Sequence, residues 1–180
     1  MKIFLIIIIL IASFQSWTKA DDVIEFEIEG ISVGDNLLDY TTVDYIKNNF
    51  GNWYDDEYRQ LLIDKNFLHY EDVLVSYKST DKNYTIVAIS GSINYGSKIN
   101  ECYKEQEKVD KIFLEIFSNS QRRIDIFEKG SYGLENGDTN SRQIVYEFEG
   151  GSAVIECLDW DQKKKPSFKD RILISIENAE

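Results

Sequence analysis

Few side chains in this 180-residue chain are of types that do chemistry, and they are thinly spread. Cys102 and Cys157 are the only cysteines, and His69 is the only histidine. Any Ser-His-Asp or Cys-His machinery must therefore pass through His69, in "NFLHYED", and no G-x-S-x-G accompanies it. A structural histidine is the better reading. Asp159 and Asp161 in "LDWDQ" form a D-x-D pair that suits acid–base work or Ca²⁺. The rest of an EF-hand loop is missing, and D-x-D recurs by chance in so acidic a chain. "GSYGLENGDTNS" is glycine-rich but lacks the lysine and the following helix of a phosphate cradle. No motif calls for a cofactor, and two cysteines with His69 give no recognisable metal-ligand spacing.

One cluster offers a surface rather than a reaction. Phe50, Trp53, Tyr54 and Tyr58 stand beside Asp55, Asp56 and Glu57, a combination able to hold a sugar or a cation. Trp160 is a further aromatic candidate. The competing reading is that these rings seal the end of a core. The chain is also rich in Ile, Lys, Asn, Asp, Glu, Tyr and Phe, as an AT-rich genome produces through codon usage, so its tyrosines need not signify a ligand platform. Asn83-Tyr84-Thr85 fits a glycosylation acceptor in a host that glycosylates exported chains.

Compartment is the clearest message. "MKIFLIIIILIASFQSWTKA" has a basic start, an apolar run from Ile3 to Ala12 and a small-x-small close, the order of a secretory signal peptide. The run is short for a bilayer-spanning helix, which favours a cleaved signal over its alternative, an uncleaved membrane anchor. Residues 1–20 are thus expected to be removed, leaving a single domain over 21–180, periplasmic or secreted, with no stable membrane insertion. Lys2 and Lys19 leave with the signal, so 18 basic side chains face 32 acidic ones, a net charge of −14. That surface repels nucleic-acid phosphates and anionic lipid. Lys163–Lys164–Lys165 reads as a solvated turn.

The elements that must position these residues follow from periodicity. Val23–Ile31 alternates as a strand; "TTVDYIKNNFG" reads as a short helix with Thr41 or Thr42 as N-cap and Gly51 as its left-handed end. "NWYDDEYRQLLIDKNFLHY" is ambiguous between helix and irregular structure. "DVLVSYK" and "YTIVAISGSINYG" read as strands, the second with Val87, Ile89, Ile93 and Tyr95 on one face and Gly91 as a bulge. "INECYKEQEKVDKIFLEIF" is an amphipathic helix, its stripe formed by Cys102, Val109, Ile112, Phe113, Ile116 and Phe117. "IDIFEK" and "RILISIE" are strands. "RQIVYEFEGGSAVIECLDW" is a hairpin turning at Gly150–Gly151, which sets Phe148 opposite Ala153, Tyr146 opposite Ile155 and Ile144 opposite Cys157.

The expected class is α+β: an antiparallel sheet with the long helix packed on its apolar face and a short N-terminal helix. In that arrangement Cys102 and Cys157 approach one another, and an exported chain meets an oxidising compartment, so a disulfide is expected. Two buried thiols are the alternative.

"IEGISVGDNLLDY…IKNN", "INECYKEQEKVDKIF" and "IECLDW" together resemble a family of small exported proteins of unknown function from AT-rich marine bacteria. That resemblance implies no activity and transfers no functional residue. "GISVGDNLLDYTTVDYIKNNFG" is also similar to the opening of BamE-like periplasmic modules, which implies a binding role with a protein partner in the cell envelope. The functional expectation is therefore a non-catalytic binding or accessory domain. Its alternative is a hydrolase of envelope polymer using Asp159 and Asp161.

Overall fold

The computed structural model describes residues 26–53, 56–128 and 139–178. The expected signal peptide, Tyr54 and most of "GSYGLENGDTNS" lie outside the described residues. The chain opens with β1 (Glu27–Ile28) and β2 (Ile31–Ser32), a 3-10 turn at Leu37–Asp39, and α1 (Val43–Asn49). Then come β3 (Gly51–Trp53), β4 (Tyr58–Leu62), β5 (Asp72–Lys78) and β6 (Ile86–Gly96). Helix α2 (Ile99–Ile116) leads to β7 (Gln121–Phe127), β8 (Thr139–Phe148), β9 (Gly151–Trp160) and β10 (Asp170–Asn178).

Strands β3 to β10 form one eight-stranded sheet in the order β3-β4-β5-β6-β10-β9-β8-β7, antiparallel at every step. It consists of two four-strand meanders. The first ends at β6; α2 then carries the chain to the far edge, and the second runs inward until β10 settles against β6.

The expected α+β class, with its long helix on an apolar sheet face and short N-terminal helix, is corrected by this topology. The fold is mostly β, with ten strands against two α-helices among the described residues. Part of the error lies in the stretch from Asn52 to Tyr70, where sequence periodicity was ambiguous and the chain forms most of β3 and all of β4. The first expected strand also breaks into two, because Glu29 and Gly30 turn with φ 55° and 76°, the positive values a tight two-residue hairpin needs.

Three local expectations shift with it. Thr42 does cap α1, its hydroxyl accepting from Tyr45 N at 3.2 Å. The helix nevertheless ends on an extended Phe50, and Gly51 opens β3 instead of closing a left-handed turn. Gly91 sits in regular register between Val73 and Ile174; its reason is space, since a Cβ there would stand 2.5 Å from the Tyr70 ring. The register shift of β6 lies instead opposite Ser76/Tyr77, so Ile86 turns inward and Val87 outward. The β8–β9 turn is centred on Glu149–Gly150, with Gly150 at φ 91°. Pairing thus moves by two residues, to Phe148–Gly151, Tyr146–Ala153 and Ile144–Ile155. A two-residue slip leaves every side chain on its original face.

One face of the sheet carries the core. Ile172, Ile174 and Ile176 on β10 align with Cys157, Ile155 and Ala153 on β9 and with Ile93, Gly91 and Ile89 on β6. Cys102, Val109, Phe113 and Phe117 from α2 and its end lie in the same buried cluster, as do Phe26, Ile28, Ile31, Leu37 and Ile46 from the N-terminal segment. The Cys102 and Cys157 sulfurs are 1.98 Å apart, with Cα atoms at 6.1 Å, so the pair sits at disulfide distance. Beside it Gln106, fully buried, donates from Nε2 to Arg142 O at 2.8 Å and Ile155 O at 2.7 Å, and accepts from Arg142 Nε at 2.6 Å.

Candidate functional site

The alternate residues of the same strands face the other way, and there no helix among the described residues covers them. Strands β6 and β10 present Ala88, Ser90 and Ser175 on this side, and β5 adds Ser76. Small side chains make a low floor, while β4 and the β7–β8 edge raise longer ones beside it. The product is an open trough of about 720 Å³ crossing from Tyr58 and Gln60 to Arg123 and Glu147. The period of two that places isoleucine inside on "ILISIE" also places Ser175 and Glu177 outside.

Its polar groups bond to one another. Ser90 Oγ and Ser175 Oγ are 2.7 Å apart at the centre, and Gln60 Nε2 donates to Ser76 Oγ at 3.4 Å. Ser152 Oγ donates to Glu177 Oε1 at 2.7 Å. Glu156 accepts from Gln143 Nε2 at 3.0 Å and from the Ser141 hydroxyl. Arg123 bridges Glu147 and Asp125 at the rim, the latter at 2.8 Å. Val145 and Val154 add apolar area between them. A shallow, internally bonded surface mixing hydroxyls, amides, carboxylates and valine holds its shape without a guest. It suits contact with another surface better than capture of a small molecule.

The residues singled out from sequence fall in several places. Tyr58 lines the trough. Trp53 lies on β3 in pairing register with Tyr58. Trp160 is buried at the far end of β9 with its ring 4.4 Å from Phe168, apart from the trough lining. Asp159 is half-buried and accepts from Asn140 Nδ2 at 3.4 Å; Asp161 is exposed and accepts from Lys163 N at 3.0 Å, an Asx turn within its own loop. His69 is half-buried, and its N–H donates at 2.5 Å to Glu29, whose carboxylate also takes the N–H groups of Leu68 and Tyr70. Lys164 and Lys165 turn back through their N–H groups to Asp161 O. In the Asn83 turn, Asp81 accepts from Asn83 N and Thr85 N, both at 2.8 Å, and these two bonds hold its carboxyl below the usual range.

Two ionisable clusters lie at the join of helix and sheet and have no counterpart in the sequence expectations. Burial raises the Asp110 carboxyl, but the Arg122 fork at 2.8 and 2.9 Å and the Tyr146 hydroxyl at 2.5 Å outweigh it, and the group titrates below its ordinary value. At the other end of α2 Lys98 supplies no side-chain cap. Asp170 takes that place, accepting from Ile99 N and from Trp160 N, the latter at 3.1 Å. Burial, with Asp159 nearby, pushes its carboxyl up against the pull of those two N–H groups. Both clusters brace α2 against the strands.

Among the described residues no group of three or more His, Cys, Asp or Glu side chains is placed to hold a metal ion, and no helix is long and apolar enough to cross a membrane. No family model, curated protein or solved structure matches the chain. The family resemblance therefore remains an expectation from sequence.

Proposed function

We propose that this chain is an exported, non-catalytic binding or accessory domain acting through protein contacts in the cell envelope, and that its partner rests in the trough on the open sheet face. Export is supported by the leader-like residues 1–20, and a bonded Cys102–Cys157 pair suits an oxidising compartment. The observation that carries the reading is the trough itself. It is about 720 Å³ of uncovered surface spread over strands β4 to β10, with its polar groups already paired. A site organised before binding loses little ordering entropy when a partner lands.

The test is site-specific photo-crosslinking in cells exporting the protein. A photoreactive residue replacing Gln60 or Ser90 should give one discrete adduct, and one replacing Lys111, on the exposed side of α2, should give none. Ala88→Trp, which fills the trough, should abolish the adduct while leaving the melting temperature within a few degrees. An undiminished adduct in Ala88→Trp would sink the proposal. So would turnover of cell-wall polymer that Asp159→Asn removes without unfolding the protein.

A further inference from the structure

The sheet has two edges, and they are not alike. β3 is three residues long, whereas β7 runs for seven with an unbroken register against β8. Among the described residues no strand pairs with the outer side of β7. Natural proteins protect such edges with charged side chains, lysine above all, and with proline, bulges or shortness. "QRRIDIF" has no lysine, proline or bulge, its three charges are each paired within their own chain, and it exposes 52% of Ile124 and 69% of Ile126.

We propose that β7 pairs with β7 of a second copy of this chain, antiparallel about a twofold axis through Ile124, so that two sheets become one of sixteen strands. The charge pattern selects that register. With Ile124 opposite its own copy, Arg123 meets the partner's Asp125 and Asp125 meets the partner's Arg123. Moving the axis to Arg123 sets arginine against arginine; moving it to Asp125 sets aspartate against aspartate. Directly opposed opposite charges favour pairing and like charges oppose it. Arg123 already bonds Asp125 and Glu147 in its own chain, so the paired edges form an alternating row of charge along the open face. On the other face Ile124 covers its copy, and the stem of Arg122, whose head is held by Asp110, lies beside the partner's Ile126. The strand carries two arginines and one aspartate in a chain of net charge −12, so two acidic copies meet there on a locally basic stretch. Because the axis stands perpendicular to the sheet, both troughs open on the same side, and Arg123 and Glu147 of each lie at the junction. A repeated partner is then bound bivalently.

Sedimentation velocity of the exported protein at tens of micromolar should give twice the chain mass. Ile124→Lys should give single chains with unchanged circular dichroism. Arg123→Asp should weaken association about tenfold, and Arg123→Asp with Asp125→Arg should restore it. Opposed Cα atoms lie about 4.5–5.5 Å apart in an antiparallel pair, within disulfide reach. Ile124→Cys should therefore link two chains under oxidising conditions, and Ile126→Cys should not. Single chains at every concentration, a dimer that survives Ile124→Lys, or a dimer that Ile124→Cys fails to link would overturn the proposal.

Discussion

Asp110 sits where three elements meet: its own helix, Arg122 on β7 and Tyr146 on β8. Its carboxyl titrates lower in the fold than in the unfolded chain. The stability it contributes is therefore fully present above the ordinary carboxyl value of 3.8 and is lost as pH falls through the depressed folded value. Asp110→Asn should lower stability at neutral pH by about 1–3 kcal/mol, since a charge-assisted fork and a tyrosine hydroxyl lose their acceptor. It should also flatten the acid limb of the stability curve, read by denaturant titration from pH 2 to 6. An acid limb as steep in the variant as in the parent would mean that other carboxylates govern it. Asp110 was absent from the sequence reading because nothing in "KVDKI" distinguishes a braced aspartate from a solvated one. Gln106 and Glu105 were hidden in the same way. They lie on the buried stripe of α2 by spacing, but polar identity argued against burial. Gln106 is tolerated there because its amide meets two carbonyls and Arg142.

At the scale of elements, apolar spacing marked the strands with clear alternation and left β3 and β4 obscure. β5, β8, β9 and β10 were readable because each largely alternates along its length, β7 through Ile124 and Ile126, and β6 in spite of its register shift. β3 and β4 are short, and Tyr58–Leu62 is half-exposed along most of its length, so their pattern carries little signal. The trough is not legible for a related reason. The isoleucines of these strands announce a core face, whereas serines between them look the same in sequence whether they floor a trough or face open solvent. The link between α2 and β9 is an element-level matter too. A Cys102–Cys157 bond closes a separation of 55 residues and is worth at most about 4 kcal/mol by loop-closure entropy. Non-reduced peptide mapping of protein made in an oxidising compartment should recover the linked pair. Cys102→Ser with Cys157→Ser should lower the unfolding free energy by an amount of that order, while two alkylatable thiols in the parent protein would reject the bond.

For the whole molecule, the sheet depends on one seam. β10 is hydrogen-bonded to β6 on one side and β9 on the other, and it alone joins the two meanders within the sheet. Ile172 and Ile176 are fully buried, so β10 also supplies the middle of the core. A chain ending at Lys169 should show no cooperative thermal transition, and a synthetic peptide of residues 170–178 added in trans should restore one. A sharp transition in the truncated chain alone would show that the two meanders fold without the strand that joins them. This order of strands was not legible in sequence, because alternation shows that a segment is a strand and says nothing of its neighbours.

The seam also sets an order of events. β10 is made after both strands it joins, so the exposed flank of β6 has no mate while the intervening segments are still leaving the ribosome. The keystone arrives after its arch. Such a chain stays open until residues 170–178 are available, and the sheet closes only when that last rung is delivered.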